Sequence, residues 1–179
     1  MIAHFLSNPA KSPWPMGLVI TVLAFLHIAS AVGWLGAVAF FLSAIGPGVR
    51  TFTPPASLEF LTKVGPRQIR YFAGTATATI VFGLALLFAY YGSNAWPTSM
   101  EVGFGLGLIA YLVAIGVTVP AFLKADKVAH QIMSLQGPPP PELGAQLAGH
   151  IRRGNVAGLT VGILLILTLA FMVYTGFPF

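Results

Sequence analysis

Residues Met16 to Ile45 read MGLVITVLAFLHIASAVGWLGAVAFFLSAI. No charged residue interrupts these thirty positions. As a helix they would reach about 45 Å, more than the ~30 Å hydrocarbon core of a bilayer. The run therefore predicts a membrane-crossing helix that stops at Gly46-Pro47-Gly48, where Pro and Gly break helical hydrogen bonding. The arm before it, Met1 to Pro15, lacks the short apolar core and small-residue cleavage site of a secretory signal, so the span is expected to be retained.

Working outward, the whole chain has the same character. Of 179 residues, 56% are hydrophobic and only 7% charged, against about 25% charged in soluble domains. Three further apolar runs predict helices at about 66–91, 101–123 and 155–174. Pro66 suits a first helical turn, and Gly92-Ser93-Asn94 closes the second span. The third contains Pro120, a kink site, and extends to about 135 through a wetter stretch with Lys124, Asp126, Lys127 and His130. A short amphipathic piece, Ser57–Val64, is expected on the surface of the first loop. Pro138–Pro141 forms a stiff connector, and Glu142–Arg153 a polar lead-in to the last span. Together these predict one transmembrane domain over 1–179, an all-α integral membrane four-helix bundle with no room for a separate soluble catalytic domain.

Short basic loops stay cytoplasmic. Arg50, Lys63, Arg67, Arg70, Lys124, Lys127, Arg152 and Arg153 fall at one end of the four-span pattern, and only Lys11 at the other. This predicts both termini outside, a multi-pass protein of the cell membrane. Trp14, Tyr90, Tyr91, Trp96 and Tyr174 fall at the outer interface, where amphipathic rings suit the headgroup level. The net charge of +5 is accounted for by topology, and no nucleic-acid partner is expected. The short match between Gln68-Ile69-Arg70 and His150-Ile151-Arg152, each before a Gly- and Thr-containing apolar run, suggests two similar hairpins.

Helices in lipid associate through small residues and interhelical hydrogen bonds. Gly154, Gly158 and Gly162, Gly103 and Gly107, and Gly33, Gly36 and Ala37 supply such faces, for the internal interface or for other subunits and a homo-oligomer. Thr75, Thr77 and Thr79 add hydroxyls that can bond within their helix or across to a neighbour.

With no Cys, thiolate metal sites, iron–sulfur ligation and catalytic thiols are excluded. The four acidic residues, Glu59, Glu101, Asp126 and Glu142, read as lying in loops or at helix ends, which leaves no buried carboxylate for a proton relay. His27 stands out, since an ionisable group about 15 Å inside a span points to function. Imidazole is a common haem and metal ligand, and Ser30, Ala31 and Trp34 share its helical face, as a planar cofactor needs. The competing reading is a hydrogen bond from His27 to a Thr or a carbonyl within the bundle. His130 and His150, both beyond the apolar spans at one end, are secondary metal-ligand candidates. His4, in the terminal arm, is a weaker one. Arg67 and Arg70 could clasp a haem propionate or an anionic lipid, or act as topology anchors alone. No nucleotide-binding, zincin or nucleophile-elbow motif occurs in a supporting context.

The stretch Leu26-His27-Ile28-Ala29-Ser30-Ala31-Val32-Gly33-Trp34-Leu35-Gly36, followed by Gly46-Pro47 and Arg50, resembles the first helix of the copper-resistance protein D-like membrane families. Arg67, Arg70 and Phe72, with the run to Gly83, look like their second helix. The His and Trp spacing is also similar to the opening helix of bacterial membrane protoporphyrinogen oxidases. That resemblance implies haem b, or copper, near His27. The third span holds no membrane-embedded Lys of the oxidase pattern, and the bundle lacks the Met and His clusters of a copper relay. The expected function is thus a haem b-binding or redox-associated membrane protein in electron transfer. The alternatives are a cofactor-free accessory subunit of a larger membrane complex and a copper-handling protein.

Overall fold

The computed structural model describes residues 16–92 and 96–176. Trp14, Lys11 and His4 lie outside the described residues, as do Ser93 and Asn94. The chain is an all-α four-helix membrane bundle, with no strand among the described residues. Helix α1 runs from Met16 to Phe40 and continues through a π-turn, Phe41–Ile45, into Gly46–Val49. Helix α2 is the short Pro54–Lys63, and α3 spans Gly65–Tyr91. Helix α4 comprises Thr98–Val113, a π-turn at Ala114–Thr118, and Val119–Met133. Helix α5 spans Pro141–Gly176. All but α2 are long and apolar enough to cross a membrane.

Three boundaries differ from expectation. Helix α1 passes through Gly46-Pro47-Gly48 to Val49. The polar lead-in before the fourth span is itself helical from Pro141. Helix α4 begins at Thr98, not 101, and ends at Met133. Pro did not stop α1 or simply kink α4, because in each the preceding turn widened. A Pro ring has no N–H and collides with the carbonyl four residues back. Here the Gly46 N–H bonds Phe41 O and the Val119 N–H bonds Ala114 O, π-type pairings that end just before Pro47 and Pro120 and let the helix continue.

Each spanning helix packs most extensively on the adjacent span, α1 on α3 and α4 on α5. The two hairpins share a construction, since the first span of each carries a π-turn ending two residues before a Pro. The core draws on all four spans: Trp34 and Val38, Ala76, Ala110 and Ala114, Val161 and Leu165. Large apolar side chains such as Phe25, Ile28, Val32, Leu112 and Ile166 face outward, which suits contact with lipid tails. The small-residue faces turn inward. A Cβ on Gly33 would meet Tyr71 and Thr75, on Gly103 Met172, on Gly107 Thr168, on Gly154 Phe122, and on Gly162 Val38. Gly36 and Gly158 leave open space.

Among the threonines, Thr75 and Thr79 donate to carbonyls one turn back, while the Thr77 hydroxyl and the Tyr111 phenol, 3.3 Å apart, link α3 to α4. At one end of the bundle all eight basic residues from Arg50 to Arg153 are exposed. At the other, Tyr90 stacks edge-on to Tyr91, and Trp96 lies between Phe88 and Phe104.

Candidate functional site

His27 faces α3, and its surroundings explain its position. The ring lies against Gly83, where an added Cβ would stand only 2.8 Å from His27 Cε1 and 3.0 Å from Nδ1. Glycine at 83 is therefore what lets the imidazole reach the α3 backbone. His27 Nδ1 lies 2.9 Å from the carbonyl oxygen of Thr79. Since a carbonyl can only accept, Nδ1 carries the proton, and a neutral imidazole so held keeps its lone pair on Nε2. No hydrogen bond to Nε2 occurs among the described residues.

This one bond serves both readings of His27. It is an interhelical hydrogen bond that gives one nitrogen of a half-buried polar side chain its partner. It is also the arrangement by which ligating histidines are oriented, the non-ligating nitrogen donating to a carbonyl. In tautomer and orientation the residue thus fits an axial ligand of haem b.

The other expected cofactor residues are not gathered beside it. The Ser30 hydroxyl donates to Leu26 O at 2.7 Å and also contacts His27 O at 3.0 Å, both on its own helix. Trp34 is 1% exposed and meets Phe72 edge-on at 6.4 Å between centroids. It fills the core where an open slot would be needed. Arg67 and Arg70 are exposed at the basic end, with Arg70 Nε donating to Pro66 O. Twelve and nine residues of α3 separate them from Thr79, about 18 and 14 Å by helical rise. His130 is exposed, its Nε2 3.6 Å from Asp126 Oδ1, and His150 is half-buried on α5. No three His, Cys, Asp or Glu side chains come together as a metal site among the described residues.

A second locus was not legible beforehand. A cavity of about 80 Å³ lies at the basic end, among α1, α3, α4 and α5 and beneath α2. Its walls are apolar, with Phe41, Phe60, Phe72 and Phe122 contributing rings, and its polar lining is Gln68, Thr118, Asp126 and Asn155. From His27 to the first α1 residue lining it, Ala37, is ten residues, or about 15 Å. Asp126 corrects the reading that every carboxylate sits in a loop or at a helix end. It is mid-helix and its side chain is only 20% exposed. The expected wet extension of the third span is in fact packed, with Ala121, Ala125, Val128, Ala129 and Ile132 buried. The alanines recurring every four residues are the sequence signal for that packing.

No protein-family model, curated protein or solved structure matches the chain.

Proposed function

We propose that the protein is a redox-associated component of the cell membrane, its basic end on the cytoplasmic side and both termini outside, with His27 as axial ligand of haem b. The observation that carries this reading is the orientation of the imidazole. Nδ1–H is held by Thr79, Gly83 makes room for the ring, and Nε2 has no hydrogen-bond partner among the described residues. A haem held there would supply one-electron transfer. Because the inward face between His27 and Trp34 is filled, the group would bind on the partly exposed side of the ring, at the apolar surface where another membrane subunit or a second copy could lie. Arg67 and Arg70 act in this reading as anchors to anionic lipid headgroups, and copper handling finds no donor cluster among the described residues.

The test is a reduced-minus-oxidised visible spectrum of the detergent-purified protein beside a His27→Ala variant of matched expression. The expected result is a haem b spectrum present in the parent and lost in the variant. Featureless spectra from both would overturn the reading.

One observation favours a second reading, a cofactor-free accessory subunit: the Thr79 carbonyl already accepts the Nδ1 proton of His27, and Trp34 fills the core beside it. In that case partners would meet the outer apolar faces, because Gly33, Gly103, Gly107, Gly154 and Gly162 are already packed within the chain. Colourless protein that co-purifies in fixed ratio with other membrane subunits is the expected outcome.

A further inference from the structure

Both π-turns open onto the cavity at the basic end. Phe41 and Leu42 come from the first and Thr118 from the second, and such turns within α-helices are frequent at functional sites. The cavity also collects unsatisfied chemistry. Asp126 Oδ1 and Asn155 Oδ1 are buried and accept no hydrogen bond among the described residues, and both residues line it. A carboxylate oxygen and an amide oxygen are acceptors, so a partner serving both must be a donor.

Neutral water could donate to these oxygens but would leave the carboxylate charge unbalanced. The ion pair that Asp126 makes on its own helix is with His130, whose imidazole carries charge only when protonated, and exposed pairs of this kind contribute little. His130 Nε2 is 3.6 Å from Asp126 Oδ1, beyond hydrogen-bond length, its side chain is 62% exposed, and it does not line the cavity. Lys124 and Lys127 are exposed. A hard metal cation wants a shell of about six oxygens, whereas this lining is overwhelmingly carbon. Ring faces such as those of Phe41, Phe60, Phe72 and Phe122 attract an ammonium group. Size narrows the choice, because about 80 Å³ is roughly half the ~150 Å³ of an apolar cavity that accepts benzene.

We infer that the cavity binds ammonium or a short primary alkylammonium ion, its N–H groups donated to Asp126 and Asn155 and its alkyl part set among the phenylalanine rings. The site is separate from His27 and does not depend on haem.

The experiment is equilibrium binding of radiolabelled methylammonium to the detergent-purified full-length protein. Binding should saturate, resist an excess of sodium, and weaken by at least about tenfold in Asp126→Asn, as loss of a charged hydrogen-bond acceptor implies. Gly158→Leu gives a second route that keeps the carboxylate. Gly158 lines the cavity and an added Cβ there meets nothing within 4 Å, so the new side chain should occupy the space and abolish binding. Absence of saturable binding in the parent, undiminished binding in either folded variant, or equal displacement by sodium would overturn the inference. Should Asp126→Asn fail to fold, the parent isotherm and Gly158→Leu decide it.

Discussion

His27 and Thr79 stand 52 residues apart in the chain and meet at 2.9 Å, ring nitrogen to carbonyl oxygen, tying α1 to α3 near the middle of the bundle. That carbonyl belongs to a helix whose Thr79 side chain is itself bonded to Thr75 O at 2.8 Å, so the bond joins two backbones through one imidazole. Interhelical bonds of this kind in membranes are worth about 0.6 kcal/mol on average and up to about 1.7.

Gly83→Ala should break this link, because the new methyl would sit 2.8 Å from His27 Cε1 and force the ring aside. The expected loss is about 1–3 kcal/mol, from overpacking and the displaced bond together. Gly74→Ala, where a Cβ meets nothing within 4 Å, is the control and should be neutral or slightly stabilising. Reversible unfolding in mixed detergent measures both. Equal stability of the two variants would show that the ring does not need Gly83.

The glycines of α5 should be unequal. At Gly154 an alanine methyl would stand 2.9 Å from the Phe122 ring, which is itself held edge-on by Phe41 at 5.4 Å. At Gly158 it would meet open space. Gly154→Ala is therefore expected to cost about 1–2 kcal/mol by overpacking, and Gly158→Ala nothing measurable. A reversed order in the same unfolding assay would contradict the packing between α4 and α5.

Trp34 is the largest fully buried side chain, and its Nε1 lacks a partner among the described residues. Truncation to Ala should cost about 3–5 kcal/mol. Trp34→Phe should cost much less, because it removes an unpaired buried donor along with part of the ring. If the two substitutions were equally damaging, the indole N–H would have an acceptor after all. Quenching by acrylamide offers an independent check, since the Trp34 share of the emission should resist it.

On α2 the Lys63 ammonium, by its hydrogen bond first and its charge second, holds the Glu59 carboxyl below its ordinary value. A carboxyl depressed in the folded state takes up its proton at lower pH than in the unfolded chain. The pair's contribution is thus present at neutral pH and lost as pH falls through the folded value. Both side chains are exposed, so global stability should hardly respond. An NMR titration should show the Glu59 midpoint rising in Lys63→Ala while the unfolding midpoint stays put. An unmoved Glu59 midpoint would show that Lys63 does not hold it.

Much of the architecture was readable from one dimension. Apolar runs longer than a bilayer located the four spans, and the basic and aromatic residues sorted themselves onto opposite ends. The helix ends near Pro47 and before Asn155 were misjudged for local reasons. A Pro can be absorbed by a π-turn, and a polar segment such as Glu142–Arg153 can be a helix that continues beyond the apolar core. His27 could be singled out because an imidazole deep in a span is conspicuous. Asp126 could not, because among Lys124, Lys127 and His130 it reads as one more polar residue of a wet extension.

From sequence alone, then, come the four spans, their alternation and the chemical character of each end, because hydropathy and charge are properties of short segments acting against a bilayer. Which side chains meet was decided only by the tertiary structure. In lipid an outward face and an inward face can be equally apolar, as Phe25 and Ile28 beside Trp34 and Val38 on α1 illustrate. Hydropathy therefore does not report how each helix is rotated. The seating of His27 on Gly83, its bond to Thr79, and the convergence of Asp126, Asn155 and two π-turns on one cavity all follow from that rotation.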